Sequence, residues 1–344
     1  MVLVTGGTGL VGSHLLYKLV NNGEAVRAIY RREKTLKRVK HVFSYFSDNA
    51  ERLFNRIEWV EGDINNIPKL EKAFIGITHV YHCAAFVSFE PDKYHQLRKI
   101  NIEGTSNIVN LCIRNTIKKL CYVSSIAAIG HSANPEKLIT ETTEWNPEAD
   151  NSVYAITKYG AELEVWRGTQ EGVDAVIVNP GVILGAGYWK GGSSGSLFRQ
   201  IYHGMRYYVN GVVGYIDVFD VVNAMTQLMK SDLKSERFIL ISENLSFKAF
   251  QYKVSNALNV KPPKREAKSW LLGLVWRLDW LKHNLFGSRR SFSKQMAKSA
   301  LSITKYDNSK LRNALGFEFK PIDESVNDVS ELYLKDIRKT SYQT

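Results

Sequence analysis

Residues Thr5-Gly6-Gly7-Thr8-Gly9-Leu10-Val11-Gly12 follow a short apolar run, Val2–Val4, and lead into a stretch with apolar residues at Leu15, Leu16, Leu19 and Val20. A strand, a turn with glycines at 6, 9 and 12, and an amphipathic helix in immediate succession admit few folds. The first glycine suits a tight turn, the second lets backbone approach a pyrophosphate, and the third permits close helix–strand contact. The helix N-terminus adds unpaired N–H groups and the positive end of its dipole. Gly6, Thr8, Gly9, Leu10, Val11 and Gly12 are therefore candidate contacts to a dinucleotide.

Further along, short β-branched runs alternate with helical patterns, the signature of βαβ units and a parallel sheet. Strands are expected at Ala25–Tyr30, Ile57–Val60, His79–His82, Leu120–Val123 and Ala175–Val178, with a helix over Ile102–Ile113. After Pro180 and Gly181 comes a glycine and serine-rich loop that includes Gly191, Gly192, Ser193 and Ser194. The expected architecture is an α/β, Rossmann-type doubly wound parallel sheet with a smaller C-terminal substrate lobe. Residues 1–180 would bind the dinucleotide, elements near 212–242 would return to the sheet, and 181–344 would mainly hold substrate. The strand Arg237–Ile241 and a helix opened by Asp220 are the returning pieces.

The end of the second strand selects the dinucleotide. NAD-binding proteins place an acid there for the ribose 2′-hydroxyl, whereas this chain has Tyr30-Arg31-Arg32-Glu33. Arg31 and Arg32 offer planar donor forks to a 2′-phosphate. NADP(H) is favoured over NAD(H). Asp63, just past the third strand, fits either a contact to the adenine amino group or a plain turn.

Charge narrows the partners. The net charge of +12 is concentrated in two places. Residues 27–40 carry seven basic side chains against Glu33, and residues 261–298 carry ten against Glu266 and Asp279. Two local patches do not make a nucleic-acid coat, and no nucleic-acid partner is expected. Within the second patch, Trp270–Leu281 is too short and too interrupted to span a bilayer. It reads as a helix covering the substrate pocket with a basic outer face, or as one lying weakly at a membrane surface. Three cysteines (Cys83, Cys112, Cys121) without a CxxC pair support neither a disulfide framework nor a metal site. Met1–Val4 runs straight into glycines without a secretory pattern, so a cytoplasmic location is expected. Monomer and homodimer both stay open.

Tyr154-Ala155-Ile156-Thr157-Lys158 puts a phenol and an ammonium at i and i+4 on one helix face. A phenol of pKa ~10 needs a neighbouring cation to work near neutrality. Ser124 and Ser125 close the strand Leu120–Val123 at the sheet's C-terminal edge, where such sheets bind ligands. Together with Asp63-Ile64, His82-Cys83-Ala84-Ala85, Asn101-Ile102-Glu103-Gly104-Thr105, Asn179-Pro180-Gly181 and Leu315-Gly316-Phe317, these pieces make the chain resemble the extended short-chain dehydrogenase/reductases. Arg31, the stretch 179–185 and Gly192-Ser193-Ser194 look most like the branch of dihydroflavonol-4-reductases and 3β-hydroxysteroid dehydrogenases.

That resemblance implies hydride transfer between NADP(H) or NAD(H) and a small ketone, aldehyde or secondary alcohol, with Ser125, Tyr154 and Lys158 as triad. It also implies that Ile64 lies at the cofactor, that Ala84 and Ala85 line the nicotinamide ribose, that Asn101 is near it, and that Pro180 backs the ring. Ser125 is preferred to Ser124 because it directly precedes the small-residue run. Ile126 and Ala127 stand where the family's dehydratases carry acids. The competing readings are a sugar-nucleotide epimerase that retains NAD and a non-catalytic NADP(H)-sensing scaffold. The first wants an acid where Arg31 stands; the second commonly lacks the Tyr or the Lys.

Several other residues have plainer expectations. His82 is expected to pack beside the cofactor, and His14 to be a partly buried surface histidine. Asp220 fits a helix N-cap and Asp217 a structural hydrogen bond. Tyr188, Trp189, Tyr207 and Tyr208 could stack on a flat substrate, with ordinary packing as the alternative.

Overall fold

A computed structural model describes residues 1–130, 137–190, 194–286 and 292–341. The run Val2–Thr5 forms β1 near the middle of a seven-stranded sheet, with β2 (Val26–Tyr30), β3 (Glu58–Glu61), β4 (His79–His82), β5 (Lys119–Val123) and β6 (Ala175–Pro180). The order is Glu236–Leu240, β6, β5, β4, β1, β2, β3, and every pairing is parallel. The strand order reverses between β1 and β4, which opens a crevice at their C-terminal ends. All residues of β5 and β6 are buried, so these strands read as continuous apolar runs without alternation.

Helices cover both faces. Helices α1 (Leu10–Asn21), α2 (Leu36–Phe46) and Val218–Lys230 pack Leu15, Leu19, Phe43 and Met225 on one side. Helices Gly104–Arg114 and Val153–Gln170 pack Ile108, Cys112, Ala161 and Val165 on the other. After β6 the chain builds a three-stranded sheet from Val182–Leu184, Val212–Asp217 and Glu243–Ser246. Over it lie the helices Phe247–Ala257 and Ile322–Ser341. Gly191, Gly192, Ser193 and residues 287–291 lie outside the described residues.

Three expectations are corrected. The returning helix is capped by Asp217, whose Oδ1 accepts from Phe219 N at 2.7 Å. Asp220 sits inside the first turn and accepts from Lys320 N at 2.8 Å. The helix expected from Ile102 starts as a π-helical segment, Arg98–Glu103, that continues the short helix Tyr94–Leu97. His14 is fully buried rather than at the surface. Its ring meets Phe46 at 5.7 Å and Phe219 at 5.3 Å; Nδ1 lies 2.8 Å from Leu10 O, and Nε2 has no hydrogen-bond partner among the described residues.

Burial holds the His14 pKa down at about 4, opposed by its backbone hydrogen bond. The unfolded chain titrates near 6.5 and so binds more protons than the folded one between these values; stability falls as pH drops from about 6.5 toward 4. His82, lowered to about 3 by desolvation and then by Lys158, acts in the same direction. His14→Leu should reduce the stability lost between pH 7 and 4.5 by about 2 kcal/mol in urea unfolding. An unchanged acid limb would refute this assignment.

Candidate active site

The glycine turn is held by contacts only glycine allows. Gly6 has φ +69°, and a Cβ there would fall 2.5 Å from Ala84 N. A Cβ on Gly12 would lie 2.2 Å from Gly6 O. Thr5 Oγ1 sits 2.6 Å from His82 Nδ1 and accepts from Ala84 N at 3.3 Å, locking the ends of β1 and β4 together. Gly9 caps α1 without a side-chain bond, no acid stands in the first turn, and its Cβ position meets only Gly6 O, at 3.3 Å. The helix N–H groups at Leu10 and Val11 are thus presented to the crevice without a capping side chain, which fits a pyrophosphate. Tyr188 donates to Thr8 O at 2.8 Å and braces the rim, so packing explains this tyrosine. Trp189 likewise spends its Nε1–H on Asp336, at 2.7 Å.

Along the same edge, beyond β2, Arg31 is 61% exposed and its Nη1 lies 3.7 Å from Asp63 Oδ2. Asp63 Oδ1 accepts from Asn65 N at 2.9 Å, so this aspartate closes a turn and faces the arginine. Arg32 is exposed and precedes the 3₁₀ turn Glu33–Thr35. Ile64 is buried, against Gly104.

On the other side of β1 the expected triad residues come together. Ser152 caps the helix Val153–Gln170 by accepting from Ala155 N at 3.0 Å, which sets Tyr154 in its first turn. Ser125, in extended backbone after β5, is half-buried, accepts from Ala127 N at 3.1 Å and lies near the Tyr154 phenol. Ser124 is buried near the Glu162 carboxyl instead, its Oγ without a hydrogen-bond partner among the described residues. Lys158 Nζ donates to Tyr122 Oη at 2.8 Å and Val123 O at 2.9 Å, above the Tyr122 ring. An ammonium has three donors, so one remains for a ligand.

Burial sets the electrostatics. Desolvation raises the Tyr154 pKa to about 12, while the Ser125 hydroxyl pulls it back. Desolvation lowers Lys158 to about 7, and Glu162 opposes that. Glu162 follows Lys158 by four residues on the same helix face and is 1% exposed. Arg237 Nη1 reaches it at 3.2 Å, and Asn179 Nδ2 bridges it to Ser125 O. Burial raises the Glu162 pKa against these partners.

Tyr122, Glu162 and Arg237 had no site role in the sequence expectations. Glu162 carried a readable signal, the i+4 spacing from Lys158; Tyr122 carried none, because its strand is buried on both faces. Asn101 is 1% exposed and clamps the loop after β4. Its side chain accepts from Phe86 N at 2.8 Å and donates to Phe86 O at 3.0 Å and Thr157 Oγ1 at 3.2 Å. That loop carries Ala84 and Ala85 at the crevice and Phe89, whose ring meets Tyr154 at 5.5 Å. Pro180 ends β6 and is buried.

The sequence profile of the NAD dependent epimerase/dehydratase family matches residues 2–240. A relative named "Putative dihydroflavonol 4-reductase" from Synechocystis sp. is 30% identical over 331 residues, spanning 94% of this chain and 92% of that one. "Sterol demethylase protein B" from Methylococcus capsulatus is 27% identical over 317 residues, spanning 91% and 92%. Among solved structures, gox2253 superposes with a TM-score of 0.80 at 24% identity, over 98% of each chain. A UDP-glucose 4-epimerase from Thermotoga maritima, solved with UDP-glucose, gives 0.76 at 20% identity, over 98% of this chain and 99% of that one. At these identities the solved structures speak to the fold alone.

Proposed function

The chain belongs to the NAD dependent epimerase/dehydratase family, whose members are NAD(P)-dependent enzymes, and from that premise we propose that it reduces a small ketone or aldehyde, or oxidises a secondary alcohol, with NADP(H). The observation that carries this reading is the cluster of half-buried Ser125 with buried Tyr154 and Lys158, at the C-terminal edge of the sheet that also carries the glycine turn. The turn and the N-terminus of α1 would hold the pyrophosphate, Arg31 and Arg32 the 2′-phosphate, and Lys158 the nicotinamide ribose. Ala84, Ala85 and Pro180 would border the nicotinamide, with the lobe after residue 181 holding substrate. The bound dinucleotide supplies or accepts the hydride.

Tyr154 gives its proton to the carbonyl oxygen, and Ser125 hydrogen-bonds the same oxygen. Lys158, as a cation beside the phenol, lowers the cost of the phenolate that results. Glu162, held by Arg237 and Asn179, keeps Lys158 protonated in a desolvated place. A panel of carbonyl compounds followed by NADPH absorbance tests the reading. Turnover of a sugar nucleotide without net NADPH oxidation would replace it with the epimerase reading.

Glu162→Gln provides a separate check. Removing the carboxylate withdraws the interaction that raises the Lys158 pKa, so the lysine loses its proton at lower pH. The alkaline limb of kcat should move to lower pH, with rates at acidic pH near wild type, and Glu162→Asp should restore part of the shift. A uniform loss at all pH values would mean that Glu162 acts only through folding.

A further inference from the structure

The helix Ser269–Phe286 shows an apolar stripe that no described residue covers. Trp270, Leu274, Leu278, Leu281 and Leu285 are 46–69% exposed. At 3.6 residues per turn they fall within an arc of ~80°. The opposite side of the helix buries Leu272 against Ala267 and Ala297, with half-buried Trp276 in the same cluster. Asp279, the helix's lone acid, also lies on that inner side and accepts from Phe292 N at 3.3 Å. The exposed stripe is edged by the exposed cations Arg277 on one flank and Lys282 on the other. Exposed Lys264, Arg265 and Lys268 precede the helix.

We propose that this helix docks the protein on an anionic lipid bilayer, lying in the interface with the Trp270–Leu285 stripe turned into the acyl boundary. The charge pattern selects this occupant. Two copies joined through the stripe would bring Arg277 and Lys282 against their own kind, whereas anionic headgroups complement both flanks. Exposed Trp270, at the start of the stripe, suits the headgroup level. No helix among the described residues is long and apolar enough to cross a membrane, so docking would be peripheral.

The helix neighbours segments that lead to the catalytic cluster. His283 comes near Asp92, three residues after Phe89, whose ring meets Tyr154. The next helix, Lys294–Ser299, ties to the approach to Tyr154 through Lys298–Asp150 at 2.7 Å and Gln295 Nε2 to Asn151 O at 3.2 Å. A docked chain would thus draw an apolar carbonyl substrate from the lipid phase. That consequence rests on the hydride-transfer reading; the docking does not.

Flotation of the full chain with phosphatidylcholine vesicles, with and without phosphatidylglycerol, tests docking independently of turnover. The wild type should float with the anionic vesicles, and raised salt should release it. Leu274→Glu/Leu278→Glu, at exposed positions, should weaken binding by at least about tenfold with an unchanged melting temperature. Arg277→Glu/Lys282→Glu should abolish the preference for anionic lipid. Three outcomes would each overturn the proposal: a wild type that floats with neither vesicle, a leucine variant that floats as well as wild type, or a wild-type dimer that the leucine variant dissociates without any vesicle binding.

Discussion

Tyr154→Phe is expected to lower NADPH-dependent carbonyl reduction by ~10²–10⁴-fold, the range that a positioned general acid contributes, with NADPH affinity kept within a few-fold. The ring stays, so its edge contact with Phe89 and the packing of the helix Val153–Gln170 persist. Only the hydroxyl goes. Ser125 then keeps its bond to Ala127 N and loses the neighbouring phenol hydroxyl, while Lys158 still has Tyr122 Oη and Val123 O. Single-turnover rates and fluorescence titration of NADPH separate the two effects. A variant that keeps more than about a tenth of the wild-type rate, against that expected loss, would remove Tyr154 from the chemistry. The neighbouring hydroxyls offer a comparison in the same assay. Ser125→Ala should cost more rate than Ser124→Ala, because Ser125 is half-open beside the phenol and Ser124 is buried against Glu162.

The contrast between those serines shows what the sequence could and could not say. Val2–Val4, Ala25–Tyr30, Leu120–Val123 and Ala175–Val178 were legible as strands because β-branched runs bounded by turn residues have few other uses. Their internal orientation was not, since strands buried on both faces lack the alternation that says which side chain points where. Tyr122 therefore stayed hidden as the Lys158 support. His14 was misplaced for a related reason: the side of α1 that it occupies is covered by Phe219, about two hundred residues later, and local periodicity carries no record of that. Asp217 and Asp220 competed for one cap, three residues apart, and only the backbone turn decides between them. The helix Ser269–Phe286 was legible as apolar, yet its low amphipathicity concealed two apolar sides, one packed and one open.

Arg31→Asp should weaken NADPH binding by roughly one to two decades, from the ~1.5–3 kcal/mol of a charge-assisted hydrogen bond, and leave NADH binding unchanged or tighter. Arg31 stands directly after β2, with its guanidinium largely in solvent and 3.7 Å from the Asp63 carboxylate. An exposed pair of this kind contributes ~0–1 kcal/mol, so turning the arginine toward a 2′-phosphate forfeits little. The substitution removes the donor fork and adds a second negative charge beside Asp63, which a phosphate dianion would meet as repulsion and a 2′-hydroxyl as an acceptor. Arg32 cannot compensate fully, because successive side chains leave extended backbone on opposite sides and it stands at the start of the turn Glu33–Thr35. Arg32→Asp should accordingly have the smaller effect. Asp63→Asn releases Arg31 from its competitor and should favour NADPH slightly. Calorimetric titration of both cofactors against the wild type and these variants decides the order. Equal wild-type affinities, or NADPH binding indifferent to Arg31→Asp, would withdraw the NADP(H) assignment and favour an enzyme that retains NAD.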